Sequence, residues 1–148
     1  MNERKYEKYI LNELRIPEEV QKHQEGYNRV NTRILWLEDE IMKGASSVIC
    51  SWYRKPTEKG GGSPSHVHDF DEVVGLIGSD PENPEKLYGE VEFWLEDEKY
   101  ILTKSSLVYC PKGLRHCPLR VLKVERPILF LAFSTTTKYV KDGIIEND

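Results

Sequence analysis

From Thr32 onward the chain alternates short runs of β-branched, aromatic and aliphatic residues with polar breaks. Segments Arg33–Leu37, Ser47–Arg54, Val73–Ile77, Glu90–Leu95, Lys99–Leu102, Leu107–Cys110, Val121–Val124 and Ile128–Phe133 read as strands, and nearly every gap between them carries Gly, Pro, Asp or Ser. About eight short strands separated by turn signals predict an antiparallel sandwich or barrel. Before Thr32 the period is different. Tyr6, Tyr9, Ile10 and Leu14 recur at steps of three and four, which predicts one amphipathic helix ending before Pro17. A second short helix is expected at Pro17, where proline and then two carboxylates suit a helix start. The segment ILFLAF, 128–133, is apolar on both faces and therefore needs cover on both sides.

Three of the gaps are informative. Residues 55–65, KPTEKGGGSPS, contain three consecutive glycines and Pro64, so they form a loop rather than a regular element. Residues 78–88, GSDPENPEKLY, hold two prolines in a polar context and read as a long hairpin connection. Residues 111–116, PKGLRH, read as a tight turn in which Gly113 takes a backbone angle that other residues avoid.

Composition narrows the class. With 148 residues, 39% hydrophobic and 31% charged, the chain fits one domain able to bury a core. A net charge of −4 without any run of Lys and Arg argues against a nucleic-acid partner. The charged start MNERKYEKYI lacks the apolar centre of a signal peptide, and no window approaches the ~20 apolar residues of a membrane span. A cytosolic protein is the expectation. The three cysteines, Cys50, Cys110 and Cys117, have no CxxC spacing and are expected to be free thiols.

Candidate chemistry gathers at SHVHDFDE, 65–72. Residues two apart in a strand share a face, so His66 and His68 project together. Asp69, Phe70 and Asp71 can reverse the chain, which brings Glu72 beside the two rings at the start of VVGLI. A third imidazole can come from His116, just after the Pro111–Gly113 turn. Three nitrogens and one carboxylate suit Fe, Mn, Ni, Co, Cu or Zn rather than Mg or Ca. The competing reading is a polar turn carrying exposed histidines, since a bare HxH is a weak signal.

The joint arrangement resembles the cupin superfamily of small β-barrels. Gly60, His66, His68, Glu72 and Gly78 are similar to its first motif, with the last glycine one residue early. Pro111, Gly113 and His116 are similar to its second, with Ser105 in place of the leading glycine and Arg120 in place of a frequent asparagine. The resemblance implies an all-β double-stranded β-helix, or jelly-roll, over 32–135. Residues 1–31 would then be a helical extension and 136–148 a C-terminal tail. It also implies one transition metal ion per chain held by His66, His68, Glu72 and His116 inside the barrel mouth.

Four protein ligands on an octahedral ion leave two adjacent positions for a small molecule with neighbouring oxygens. The expected function is a metal-dependent enzyme, foremost a dioxygenase-type oxidoreductase. Lyase, isomerase or decarboxylase chemistry is the alternative, as is a non-catalytic binding module. Glu72 is the expected catalytic residue, serving as base if it leaves the metal, with Glu92 a weaker candidate. Glu90, Glu92 and Trp94 share a strand face read as the outer one. Trp52, Tyr53 and Arg54 lead toward the mouth but read first as core or salt-bridge residues. Arg115 reads as a solvated turn residue, Cys117 as facing away from His116, and His23 as surface. The glycine-rich loop is expected to gate the pocket, and the 78–88 connection to lie at the far end. The doubly apolar 128–133 segment and the unpartnered N-terminal stripe predict a homodimer.

Overall fold

The computed structural model describes residues 4–145. Ten strands form two five-stranded antiparallel sheets among these residues. The first sheet runs in the order β1 (Asn31–Leu37), β2 (Ser47–Tyr53), β9 (Ile128–Ser134), β4 (Glu72–Gly78) and β7 (Ser106–Cys110). The second runs β10 (Asp142–Ile145), β3 (Ser65–Val67), β8 (His116–Val124), β5 (Lys86–Leu95) and β6 (Glu98–Lys104). The order mixes distant parts of the chain: β9 lies between β2 and β4. This crossing of early and late strands makes the double-stranded β-helix expected from the two histidine motifs.

Alternation decides which side chains enter the barrel. In β2 the residues Ser47, Ile49, Ser51 and Tyr53 are buried while Val48, Cys50 and Trp52 are only partly so, the period of two that a pleated strand imposes. Leu76, Leu87, Val91, Phe93, Leu119 and Ile128 are almost fully buried and fill the space between the sheets. Each such side chain contributes about 1.5–3 kcal/mol on removal from water.

All eight sequence-predicted strands are present, and two more join them. β3 carries the HxH pair, and β10 lies in the segment read as a tail, where it pairs with β3. β5 begins at Lys86, inside the segment read as a connection, because Leu87 is an inward core residue there.

The N-terminal part differs from expectation. In place of a helix over Tyr6–Leu14 there is a single 3₁₀ turn, Glu7–Tyr9, followed by an extended Ile10. Tyr6, Tyr9 and Ile10 remain 64%, 64% and 67% exposed, so the apolar stripe has nothing to pack on within the chain. A helix of that length needs such packing to hold. The helix expected at Pro17 is present as α1 (Glu18–Gln21), and α2 (Gln24–Val30) leads into β1. Arg54 fixes this corner, donating to Asn28 O at 2.6 Å, Asn31 O at 3.1 Å and Thr32 Oγ1 at 2.7 Å. Its role is therefore structural, through hydrogen bonds.

The cysteines are unpaired. Burial, reinforced by the Glu72 charge, pushes the Cys110 thiol up to about 12, and burial does the same to Cys117. A maleimide at pH 8 is therefore expected to modify no more than one thiol, Cys50, in the native chain and all three after denaturation. Native labelling of Cys110 or Cys117, read by peptide mass, would show that the barrel opens on the reaction timescale.

Candidate metal centre

His66 lies in β3 directly opposite His116, the first residue of β8. His68 follows one step beyond β3, and the chain reverses through Asp69–Asp71 before Glu72 opens β4. Two hydrogen bonds hold this reversal: Lys112 N donates to Asp71 Oδ1 at 2.8 Å, and Gly113 N to His68 O at 3.0 Å. Gly113 has φ +84°, the angle expected for it. The Pro111–Gly113 turn and the HxH reversal thus brace each other, and the two motifs meet.

His66, His68, Glu72 and His116 are 1%, 3%, 3% and 1% exposed, and one ligand atom from each lies within 4.8 Å of the others. Each imidazole is oriented by a backbone carbonyl. His66 Nδ1 donates to Pro64 O at 2.5 Å, His68 Nδ1 to Val140 O at 2.6 Å and His116 Nδ1 to Leu114 O at 2.9 Å. A carbonyl only accepts, so each Nδ1 carries a proton and each Nε2 is the nitrogen turned inward.

A cation would satisfy these inward nitrogens together. His66 Nε2 and His68 Nε2 are 3.0 Å apart, and His116 Nε2 is buried without a hydrogen-bond partner. The Glu72 carboxylate stands 3.2 Å from His116 Nε2 and 3.7 Å from His68 Nε2, its other oxygen accepting from Ser134 Oγ at 3.1 Å. Burial alone would raise the Glu72 carboxyl, but His116 and His68 outweigh it and hold it down at about 2. Burial, with Lys141 and the neighbouring imidazoles, brings His66 down to about 3 in spite of its Pro64 bond, so this ring is neutral. Three imidazole nitrogens and a carboxylate converging on one point fit a first-row transition ion, and carbonyl-bound outer nitrogens are the support such ligands receive. The buried group can bind a metal.

Two site residues were not legible beforehand. Tyr139 lies over the cluster, its Oη 3.5 Å from His66 Nε2 and its ring 4.8 Å from that of His68. Burial and the Glu72 charge keep its phenol protonated. Val140 supplies the carbonyl that orients His68. The pairing of β10 with β3 brings both of them back over the mouth, and only their position in the apolar stretch KYV hints at it.

Other candidates fall elsewhere. Glu92 is on the outer side of β5, bound to Arg120 Nη1 at 2.8 Å and to Trp94 Nε1 at 3.1 Å, so Glu92 and Trp94 are outer-face residues. Arg120, which replaces the frequent asparagine, has this pairing as a role. Ser105, which replaces a glycine, accepts from Gly78 N at 2.9 Å and donates to Pro84 O at 2.6 Å, pinning the 78–85 connection. Arg115 holds β10, donating to Gly143 O at 2.8 Å and Ser65 Oγ at 3.1 Å, which corrects the reading of a solvated turn residue. Cys117 is buried and takes no place in the ligand group.

A cavity of about 720 Å³ is lined by Tyr139, the residue that also contacts His66 and His68, and by none of the four clustered side chains. Inward residues of β1, β2 and β9 line it, with α2, Tyr139, Lys141 and residues 57–64 completing the wall. The glycine-rich loop is therefore part of the mouth. Gly62 is required there: φ is +89° and a Cβ would stand 2.3 Å from Leu119 O. Tyr53 lines the cavity as well as the core, while the 78–88 connection takes no part. His23 is also at its rim.

Comparison with protein-family models gives no match, and comparison with curated proteins gives none either. Solved structures do share the architecture. Peruvianin-I, a cysteine peptidase from Thevetia peruviana latex, is 13% identical with a TM-score of 0.52, covering 80% of this chain and 69% of its own. A Klebsiella pneumoniae protein with a double-stranded β-helix domain is 16% identical with a TM-score of 0.48, over 82% of this chain and 87% of its own. An oxalate oxidase in complex with glycolate is 15% identical with a TM-score of 0.48, over 78% of this chain and 54% of its own. The two interleaved antiparallel sheets form a double-stranded β-helix, the fold that the two sequence motifs imply.

Proposed function

We propose that the chain is a metal-dependent enzyme acting on a small, oxygen-rich chelating molecule, with dioxygenase-type oxidation its principal chemistry. The observation that carries this reading is the set of three imidazoles, each oriented by a backbone carbonyl, whose inward nitrogens converge with Glu72 next to Tyr139, itself part of a cavity wall. His66, His68, Glu72 and His116 would hold one ion per chain, Fe, Mn, Ni, Co, Cu or Zn. Such an ion supplies a Lewis acid and, as iron, a one-electron redox centre. The chain's own groups bind and orient the substrate. Tyr139 presents a hydroxyl over His66 and lines the cavity on its other side.

A lyase, isomerase or decarboxylase needs a base, and here one observation favours oxidation. The acids beside the cluster, Tyr139, Cys110 and Cys117, all hold their protons. A base role thus falls to Glu72, which His116 and Ser134 already engage. Oxygen uptake by the Fe(II)-loaded protein with a catechol, a β-diketone or a 2-hydroxy acid is the test. Turnover that disappears in His116→Ala supports oxidation. A fully metallated protein that consumes no oxygen with any of them, yet isomerises or cleaves one anaerobically, moves the assignment to the second class; one that only binds them is a binding module.

A homodimer is part of the same proposal. The outward residues of the first sheet form continuous apolar rows: Leu37, Val48, Phe133, Val73 and Tyr109 are neighbours in register, as are Leu35, Cys50, Leu131, Gly75 and Leu107. Leu107, Tyr109 and Phe133 are 69%, 59% and 40% exposed, which a second copy of this face would cover. Among the described residues no helix is long and apolar enough to cross a membrane. A cytosolic setting agrees with the three free cysteines.

A further inference from the structure

The cavity contains a cation that the fold does not neutralise. Arg33 points inward from β1, in register with the buried Ser51, and its guanidinium stands 4.0 Å from the Tyr27 ring centroid and 4.6 Å from that of Trp36. Its Nε donates to Gln24 Oε1 at 3.0 Å. Among the described residues no carboxylate lies within ion-pair distance of it, and its two terminal nitrogens donate to none of them. An arginine stays charged in a protein, and a cation withdrawn from water is normally met by an anion. Among the described lining residues the one carboxylate, Glu58, is already paired with Arg29 at 3.4 Å.

A second group in the lining is also unmatched. Asn31 is 5% exposed and its Oδ1 has no hydrogen-bond partner. A buried amide oxygen in that condition calls for a donor. The remaining wall is aromatic and apolar, with Tyr27, Trp36, Tyr53 and Phe130.

We infer that the cavity binds a carboxylic acid with an apolar or aromatic body, its carboxylate received by the terminal nitrogens of Arg33. The planar, forked guanidinium fits a carboxylate in a bidentate manner, and the Tyr27 and Trp36 rings beside it restrict its motion. An N–H or hydroxyl on the body of the acid would complete Asn31. Position along the barrel separates this end of the ligand from the ligand cluster. Glu72 is in register with Ser134, whereas Arg33 is in register with Ser51, which pairs with Phe130, two inward residues further along β9. The acid group is therefore distal, and any chelating oxygens lie at the other end of the molecule. The inference rests on the proposed enzyme for those chelating oxygens alone; the carboxylate site stands on Arg33.

Calorimetry on metal-stripped protein tests it without involving the metal. The probes are 4-phenylbutyrate and its neutral counterpart 4-phenylbutan-1-ol. The acid is expected to bind at least tenfold more tightly than the alcohol, and Arg33→Met to remove that difference while Arg33→Lys retains part of it. Far-UV circular dichroism and the melting temperature report whether each variant is folded; the acid-against-alcohol comparison in the wild type needs no variant. Equal affinity for acid and alcohol would overturn the inference, as would an unchanged preference in folded Arg33→Met. Failure of metal binding with Arg33-dependent acid binding intact would remove the enzyme reading and leave the carboxylate site, and the reverse result would do the opposite.

Discussion

Replacing His116 with Ala is expected to reduce bound metal from about one ion per chain to none, measured by elemental analysis after reconstitution and desalting. His66→Ala should do the same, and His23→Ala should leave the metal in place. The reason is geometric. His116 Nε2 is buried, has no hydrogen-bond partner and stands 3.2 Å from the Glu72 carboxylate, so its removal takes away one of three nitrogens and leaves the carboxylate with less to offset its burial. Metal binding to the folded state alone also adds stability, about 2.7 kcal/mol when the ion is at 100 times its dissociation constant. For a domain of this size that corresponds to roughly 5–10 °C in melting temperature at about 2–4 °C per kcal/mol. Chelator should therefore lower the wild-type melting temperature by that much and leave the His116→Ala protein unaffected. A wild-type protein that takes up no metal and melts at the same temperature with and without chelator would defeat the assignment of all four ligands.

The double variant Leu107→Glu, Tyr109→Glu is expected to halve the mass seen by light scattering, from twice 17.3 kDa to 17.3 kDa at micromolar concentration. Both residues lie on β7 at the edge of the first sheet and are largely exposed, so a single chain tolerates a charge there. At an interface the same charge would be withdrawn from water without a partner, at a cost of several kcal/mol. Three exposed side chains contribute only about 1.5–3 kcal/mol each, so the interface must also draw on Val48, Leu131 and Val73 to offset the cost of association. Circular dichroism and metal content should not change. If the wild type itself runs at 17.3 kDa, the apolar face has some other purpose.

Much of the site was open to inspection in the linear chain because its geometry is local. His66 and His68 share a face by the period of a strand, Glu72 follows a three-residue reversal, and Gly113 marks the turn that precedes His116. The expected meeting of the two motifs required one long-range event, the pairing of His66 with His116, and that pairing is present. The N-terminal stripe shows the opposite case. Its spacing is helical, yet a stripe without a surface to cover gains too little from burial, and only one short turn forms.

The sequence by itself determined eight of the ten strands, their inward and outward faces, the four candidate ligand positions and the turns that aim them, since each depends on neighbours a few residues away. Tertiary structure alone decided what surrounds them. Tyr139 and Val140 reach the cluster from more than seventy residues beyond His66 and His68, through a four-residue strand with no strong pattern of its own. Arg33 became a cavity residue when β1 joined the edge of the first sheet beside β2 and α2 folded over it. A period of two says that a side chain points inward; which strands lie opposite, and whether a charge finds an anion there, depends on sheet order, and the closure of distant strands sets that order.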